Sequence, residues 1–136
     1  MGTKYNPSVV RDGLMIYLDA ANPRSYPGTG NTWYDLKRNI NFALQNSPSF
    51  LSNSAGGSIG FTAANSQYAT ASSLSTMVNW TVEVWLFHTG VSTGTYPAII
   101  CEALGGGNIN FALFNPNYSV SNFQLQTGYY AGNVWY

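Results

Sequence analysis

The sequence contains little formal charge and little of the chemistry that charge supports. Of its 136 residues, five are Lys or Arg, five are Asp or Glu, and one is His. The last basic residue is Arg38, so residues 39–136 contain no Lys or Arg at all. Phosphate backbones need cations for neutralisation, and anionic membranes attract a basic face. The composition therefore argues against a nucleic-acid partner and against a membrane partner.

Cysteine is almost absent as well. Cys101 is the only one in the chain, which excludes an intrachain disulfide and the class of small disulfide-stabilised secreted scaffolds. A reactive thiol needs a nearby base, and the only imidazole, His88, is distant in the sequence. We therefore expect Cys101 to be a small buried hydrophobe.

Long apolar runs are also missing. No window reaches the roughly 20 apolar residues of a membrane span, and residues 1–10 hold no apolar run of the signal-peptide kind. We expect synthesis and assembly in a cytoplasm. Residues 1–10 are expected to form an extended N-terminal arm, and residues 11–136 a single domain, because a chain of this length fits one domain and can bury a core.

Short apolar or alternating runs recur along the chain, separated by Gly, Pro, Asn and Ser. This pattern is typical of an antiparallel sandwich or barrel and not of alternating strands and helices. The sequence therefore predicts an all-β chain. Its strands are predicted at residues 14–19, 58–62, 67–71, 81–88, 98–102, 111–115, 123–127 and 134–136, and residues 38–45 as a helical turn or another strand.

The strongest strand pattern runs from Thr81 to His88. Alternate residues of a strand point to opposite faces, and here each face carries at least two large apolar side chains. We therefore expect a central strand that is covered on both sides. One face carries Val82, Val84 and Leu86, and the other carries Thr81, Glu83, Trp85 and Phe87.

Three carboxylates lie beside turns near the start of the chain, at Asp12, Asp19 and Asp35. Asp in such positions usually accepts backbone N–H bonds, so all three are predicted to be structural. The tryptophans at positions 33, 80 and 85 are also assigned to structure, because a sandwich uses its aromatic residues for packing and cross-strand pairs.

Residues 12–36 read DGLMIYLDAANPRSYPGTGNTWYDL. This block resembles the opening of the laminin-G-like, concanavalin A-like jelly-roll domains of tailed-phage structural proteins, including those of cyanophages. The resemblance continues through residues 56–61, 67–69, 80–85 and 132–136. It implies an antiparallel β-sandwich of the jelly-roll type in a virion structural protein.

The chain departs from that family in two places. Related domains often carry Phe-Asp-Gly and then an acidic or Asn-rich turn, whereas residues 61–67 hold no carboxylate here, so we predict no calcium site. In the family, a pair like Trp135-Tyr136 begins a strand that several others follow. The domain is therefore expected to be shortened at its C-terminus, with an open edge that invites pairing with another chain.

No catalytic, metal or cofactor site is expected. Glycoside hydrolysis normally uses two carboxylates that flank the bond, and the related glucanases carry theirs along one strand, but Glu83 is the only acid in its strand. His88 has no second His and no nearby Cys with which to hold a metal. We predict a protein that is not an enzyme and needs no cofactor.

The predicted function is that of a virion structural protein, a capsid cement or decoration protein that acts through protein–protein contacts. Its predicted partners are its own copies and the phage capsid or other virion proteins. The alternative is a carbohydrate-binding module for host-surface attachment on a tail or baseplate, with a glycan as ligand. The predicted partner-contact residues are Tyr5, Val9, Val10, Tyr129, Tyr130, Trp135 and Tyr136.

Overall fold

The computed structural model describes residues 9, 11–54, 56–72, 81–87, 98–104, 108–114, 126–131 and 134–135. Their regular structure consists of antiparallel strands and one short 3-10 turn, Ala63–Asn65, with no α-helix in these ranges. The predicted β class is therefore confirmed for the described part of the chain. The chain divides into two compact units, Met1–Ser72 and Ser73–Tyr136.

The first unit contains two antiparallel sheets. A three-stranded sheet has the order β1-β2-β5, and a two-stranded sheet pairs β3 with β4. The strands are β1 (Thr32–Trp33), β2 (Phe42–Gln45), β3 (Ser49–Leu51), β4 (Ser58–Gly60) and β5 (Tyr68–Thr70). The predicted strands at 58–62 and 67–71 correspond to β4 and β5. Of the two structures predicted for 38–45, the strand is the one formed, as β2.

Few of the described side chains of the first unit are fully buried. Tyr26 and Leu44 are the apolar ones, each 4% exposed. The Tyr26 ring packs at a tilt against Phe50, with 5.4 Å between the ring centroids, and the backbone N–H of Leu44 donates to the carbonyl of Asn31 at 2.8 Å. The core thus joins the loop before β1 to strands of both sheets.

The predicted strand at residues 14–19 is wrong. The segment has no ladder in the structure, because turns and side chains from elsewhere satisfy its backbone. The N–H of Tyr17 donates to Asp35, the carbonyl of Tyr17 accepts the N–H of Leu36, and the N–H of Asp19 donates to Ser25. Backbone groups used in this way are not free to pair with a strand.

The second unit contains a four-stranded antiparallel sheet with the order β6-β7-β8-β9. The predicted strands at 98–102, 111–115 and 134–136 correspond to β6, β7 and β9. The one predicted at 123–127 overlaps only the start of β8. These strands are β6 (Ala98–Leu104), β7 (Asn108–Phe114), β8 (Gln126–Ala131) and β9 (Val134–Trp135).

The prediction of a buried central strand at residues 81–88 is wrong for the part that the structure describes, residues 81–87. This segment has no strand partner among the described residues, and all seven of its residues are exposed. The alternation that predicted two covered faces is present, but no described part of the chain covers either face.

Cys101 is also placed differently from the prediction. It is a free, exposed cysteine in β6, paired in register with Ala112. We expected a buried thiol, but the face of the sheet at this position is left open to solvent.

Candidate functional site

Asp35 is the most highly connected polar side chain of the first unit. It is 3% exposed, and its two carboxylate oxygens accept four backbone N–H groups. Oδ1 accepts those of Tyr17 at 2.8 Å and Lys37 at 3.0 Å, and Oδ2 accepts those of Asn39 at 2.9 Å and Ile40 at 3.4 Å. The carboxylate is thereby saturated by its own chain, which gives it a structural role.

Burial by itself raises the pKa of Asp35, because desolvation disfavours the charged form. The four backbone donors favour the carboxylate, and together they outweigh burial, so the pKa lies below its ordinary value of 3.8. Asp35 is therefore ionised near neutral pH and holds residues 35–40 in a closed turn against Tyr17.

Ser25 is a second structural polar residue, with 0% exposure. Its hydroxyl accepts the N–H of Asp19 at 3.0 Å and donates to the carbonyl of Tyr34 at 2.7 Å. Asp19 in turn accepts the N–H of Ala21 at 3.0 Å through Oδ1. The structural roles predicted for Asp19 and Asp35 are confirmed, whereas Ser25 had no signal in the sequence that sets it apart from the other serines.

Two turns beside the three-stranded sheet hold unusual backbone conformations. Asn46, Ser47 and Ser66 have φ angles of 60°, 53° and 51°, which non-glycine residues adopt rarely. Side-chain bonds join them: Asn46 Nδ2 donates to the carbonyl of Ser66, and Gln67 Nε2 donates to those of Asn46 and Ser47 at 3.0 and 2.9 Å. The side chains that fix this arrangement are thus already engaged.

An open cleft of about 390 Å³ lies beside Ser47, and Thr29 and Asn31 also line it. The aromatic residue in its lining, Tyr26, is 4% exposed and donates its hydroxyl to the carbonyl of Gly30 at 2.8 Å. A sugar ring stacks on an aromatic face that solvent can reach. The cleft therefore offers polar groups without an aromatic platform.

The most exposed apolar surface of the described chain lies at Thr81–Phe87. Trp85 is 92% exposed and Phe87 is 87% exposed, whereas Val82, Val84 and Leu86 are 37–40% exposed. Trp85 Nε1 donates to Glu83 Oε1 at 3.1 Å. We assigned Trp85 to the interior, so its exposure is a correction: the described residues provide no neighbouring strand or layer to cover it.

The predicted partner-contact residues are only partly described. Val9 is 42% exposed, and the register of β8 with β9 puts Tyr130 directly opposite Trp135, with Tyr129 adjacent in β8. Among the described strands, β9 lies at the end of its sheet, the position at which the sequence predicts an open edge. The other predicted contacts, Tyr5, Val10 and Tyr136, lie outside the described residues, as do Trp80 and His88.

The described ranges contain neither a metal-binding cluster nor a membrane-spanning helix. No group of three or more His, Cys, Asp or Glu residues there is placed to hold a metal ion. None of the helical structure in those ranges is long and apolar enough to cross a membrane.

The candidate functional site is therefore the exposed segment Thr81–Phe87, which sequence reasoning recognised as a strand but not as a surface. Its signal in the sequence is that alternate residues place large apolar side chains on both faces. Such faces favour burial, but the sequence does not show whether the covering surface belongs to this chain or to a partner. Comparison with known proteins finds no family model that matches the chain and no similar curated protein or solved structure.

Proposed function

We propose that this protein is a non-enzymatic structural component of a tailed-phage virion, a capsid cement or decoration protein that acts by protein–protein contact. The phage assignment rests on the resemblance of residues 12–36 to phage lectin-like domains. In this proposal the strands belong to a concanavalin A-like sandwich, and the protein is located in the virion after assembly in the host cytoplasm.

The exposure of Trp85 and Phe87 is the observation that carries the contact function. Large aromatic side chains bury about 150–250 Å² each and dominate interface energetics, and Trp is favoured at the centre of interfaces. Two such rings side by side in water favour a partner surface. Glu83 is the only charged residue within the segment 81–87, so the contact that the segment makes is expected to be largely apolar and to depend little on salt.

The glycan-binding alternative is the second candidate. The cleft lined by Thr29, Asn31 and Ser47 supports it, since these side chains offer hydrogen-bonding groups at an open surface. The buried ring of Tyr26 weighs against it, because the cleft then lacks a platform for a sugar ring. The contact function is therefore favoured.

Co-sedimentation with assembled heads of a tailed phage that encodes this chain tests the proposal. We expect the protein to pellet with the heads in a fixed molar ratio, and the double variant Trp85→Ser, Phe87→Ser to bind at least ten-fold more weakly. Tyr68→Ser is the matched control, because Tyr68 is 53% exposed in the other unit. A protein that stays in the supernatant at every concentration would overturn the proposal, and its retention on host polysaccharide would favour the glycan-binding module.

A further inference from the structure

The segment Thr81–Phe87 forms no ladder with any described strand, but two observations are those expected of an extended chain. Its exposure alternates, with Trp85 and Phe87 far more exposed than Val84 and Leu86. The hydrogen bond from Trp85 to Glu83 joins side chains two positions apart, which lie on the same side of an extended chain. No described strand pairs with this stretch, and an extended stretch without such a neighbour can offer its backbone N–H and C=O groups to another strand.

We propose that Thr81–Phe87 pairs antiparallel with the same segment of a second copy, across a two-fold axis at Val84. This inference rests on the proposed function, since it names the surface through which copies of the decoration protein associate. A two-fold contact uses the same patch on both copies, so the patch must be complementary to itself.

The sequence of the segment meets that requirement. With Val84 opposite Val84, Val82 faces Leu86 of the other copy, so one face of the paired strands is wholly aliphatic. On the other face, Glu83 stands opposite Trp85 and Thr81 opposite Phe87, and no carboxylate stands directly opposite another.

At the two ends of the described sheet of the second unit, β9 is only two residues long, so β6 is the alternative partner of comparable length, and charge disfavours it. Residues 81–87 and β6 are both seven residues long, and full-length antiparallel pairing would put Glu83 opposite Glu102. Like charges directly opposite each other destabilise a strand pair. Among the described residues these are the only carboxylates of the second unit, so self-pairing avoids the one unfavourable contact available.

Self-pairing also places the aromatic rings of two copies together. Trp85 and Phe87 of both copies then lie on one face, which presents roughly 600–1,000 Å² of aromatic surface. This exceeds the roughly 300–600 Å² of the largest apolar patch on a typical monomer and approaches the size of a specific interface. Pairing thus builds from two copies a docking face that one copy does not provide.

A cysteine scan tests the pairing directly. In a Cys101→Ser background, Val84→Cys puts two thiols at the axis with Cα atoms about 4.5–5.5 Å apart, within the range of a disulfide. Val82→Cys and Leu86→Cys are matched controls, because each would lie about 14 Å from its own copy along the strands. Because these three aliphatic residues are partly exposed, the substitutions leave the described core intact.

In a glutathione redox buffer we expect Val84→Cys to form a covalent dimer at least ten-fold faster than either control. An equimolar mixture of the Val82→Cys and Leu86→Cys proteins should form the mixed dimer. A Val84→Cys protein that remains monomeric, or equal cross-linking at all three positions, would overturn the inference.

A second variant separates self-pairing from pairing with β6. With Cys101 retained, the thiol introduced by Val84→Cys would form a disulfide with Cys101 if β6 were the partner, because full-length pairing puts these two positions opposite each other. Peptide mapping that finds this bond, in place of a disulfide between the introduced thiols of two copies, would contradict our inference.

Co-sedimentation keeps the two proposals apart. Head binding by a protein whose copies do not cross-link at position 84 would sink the dimer and leave the decoration function standing. Cross-linking at position 84 without head binding would support the dimer and overturn the decoration function.

Discussion

Asp35 fixes Tyr17 in place across eighteen positions of the chain, by accepting its backbone N–H at 2.8 Å. The adjacent Leu36 donates its own N–H to the carbonyl of Tyr17, also at 2.8 Å. Tyr17 is thus held on both sides by one turn. This contact ties the start of the first unit to the turn that precedes β2.

Removal of the Asp35 carboxylate is expected to destabilise the first unit strongly. Asp35→Ala leaves four backbone N–H groups without their acceptor. An unsatisfied N–H that is fully buried costs about 1–3 kcal/mol, and these four cost less because they are only partly buried and water can reach them. We expect the free energy of unfolding to fall by about 2–4 kcal/mol, measured by urea titration with circular dichroism. Asp12→Ala is the control, because Asp12 is exposed, and it should change stability by less than about 0.5 kcal/mol. A wild-type midpoint for Asp35→Ala would contradict the role assigned to this carboxylate.

Stability is expected to fall in acid because of the same residue. The pKa of Asp35 is lowered in the folded state from its ordinary value of 3.8, so the unfolded chain binds the proton more readily. Its contribution is therefore present above the unfolded pKa and is lost as pH falls through the folded pKa. Urea titrations at pH 7, 4 and 3 should show a steeper loss for the wild type than for Asp35→Asn. Parallel pH profiles for the two proteins would exclude Asp35 as the source.

Ser25→Ala should also weaken the first unit. The substitution leaves the N–H of Asp19 and the carbonyl of Tyr34 without their buried partner, and we expect a loss of about 1–3 kcal/mol. Thermal unfolding followed by circular dichroism measures it. Ser52→Ala removes a hydroxyl from an exposed serine and serves as control. Equal melting temperatures for the two variants would show that the Ser25 bonds contribute little.

Gly57 is expected to tolerate no side chain. Its φ angle is 142°, and an added Cβ would lie 3.0 Å from both Ala21 Cα and Phe50 Cζ and 3.1 Å from the carbonyl oxygen of Ala20. Gly13 has a φ of 70° with nothing near an added Cβ, so Gly13→Ala measures backbone strain alone. We expect Gly57→Ala to cost about 1–3 kcal/mol more than Gly13→Ala, from the overpacking. Similar losses in urea titration would argue against close packing at Gly57.

The sequence predicted strand positions well where an apolar run lies beside another strand with which it can pair. Strands β4, β5, β6 and β7 lie close to their predicted positions, because their short apolar or alternating runs coincide with backbone pairing. Residues 14–19 also form an apolar run, but the backbone N–H of Tyr17 donates to Asp35 and its carbonyl accepts the N–H of Leu36, so neither group pairs with a strand. Alternation reports which faces are apolar and not which groups satisfy the backbone.

The candidate site was only half predictable for a related reason. The pattern at residues 81–87 showed two apolar faces, which a central strand and an exposed contact strand share. Which of the two is formed depends on whether residues distant in the sequence pack against the segment, and a single sequence does not show those contacts. The aromatic residues of the predicted contact set, Tyr130 and Trp135, do meet in register, because a short connection brings β9 back beside β8.

The order of strands in the sheet of the second unit bears on how the chain folds. Each of β6, β7, β8 and β9 pairs with its neighbour in sequence, across three, eleven and two intervening residues, so every pairing closes a shorter loop, at a lower cost in entropy, than the 22 residues between β2 and β5. In the three-stranded sheet of the first unit, β5 instead pairs with β2 across the intervening hairpin of β3 and β4. Local pairings form faster than distant ones. We therefore expect the amides of β6 and β7 to gain protection from hydrogen exchange before those of β2 and β5 during refolding, although the chain is synthesised in the opposite order.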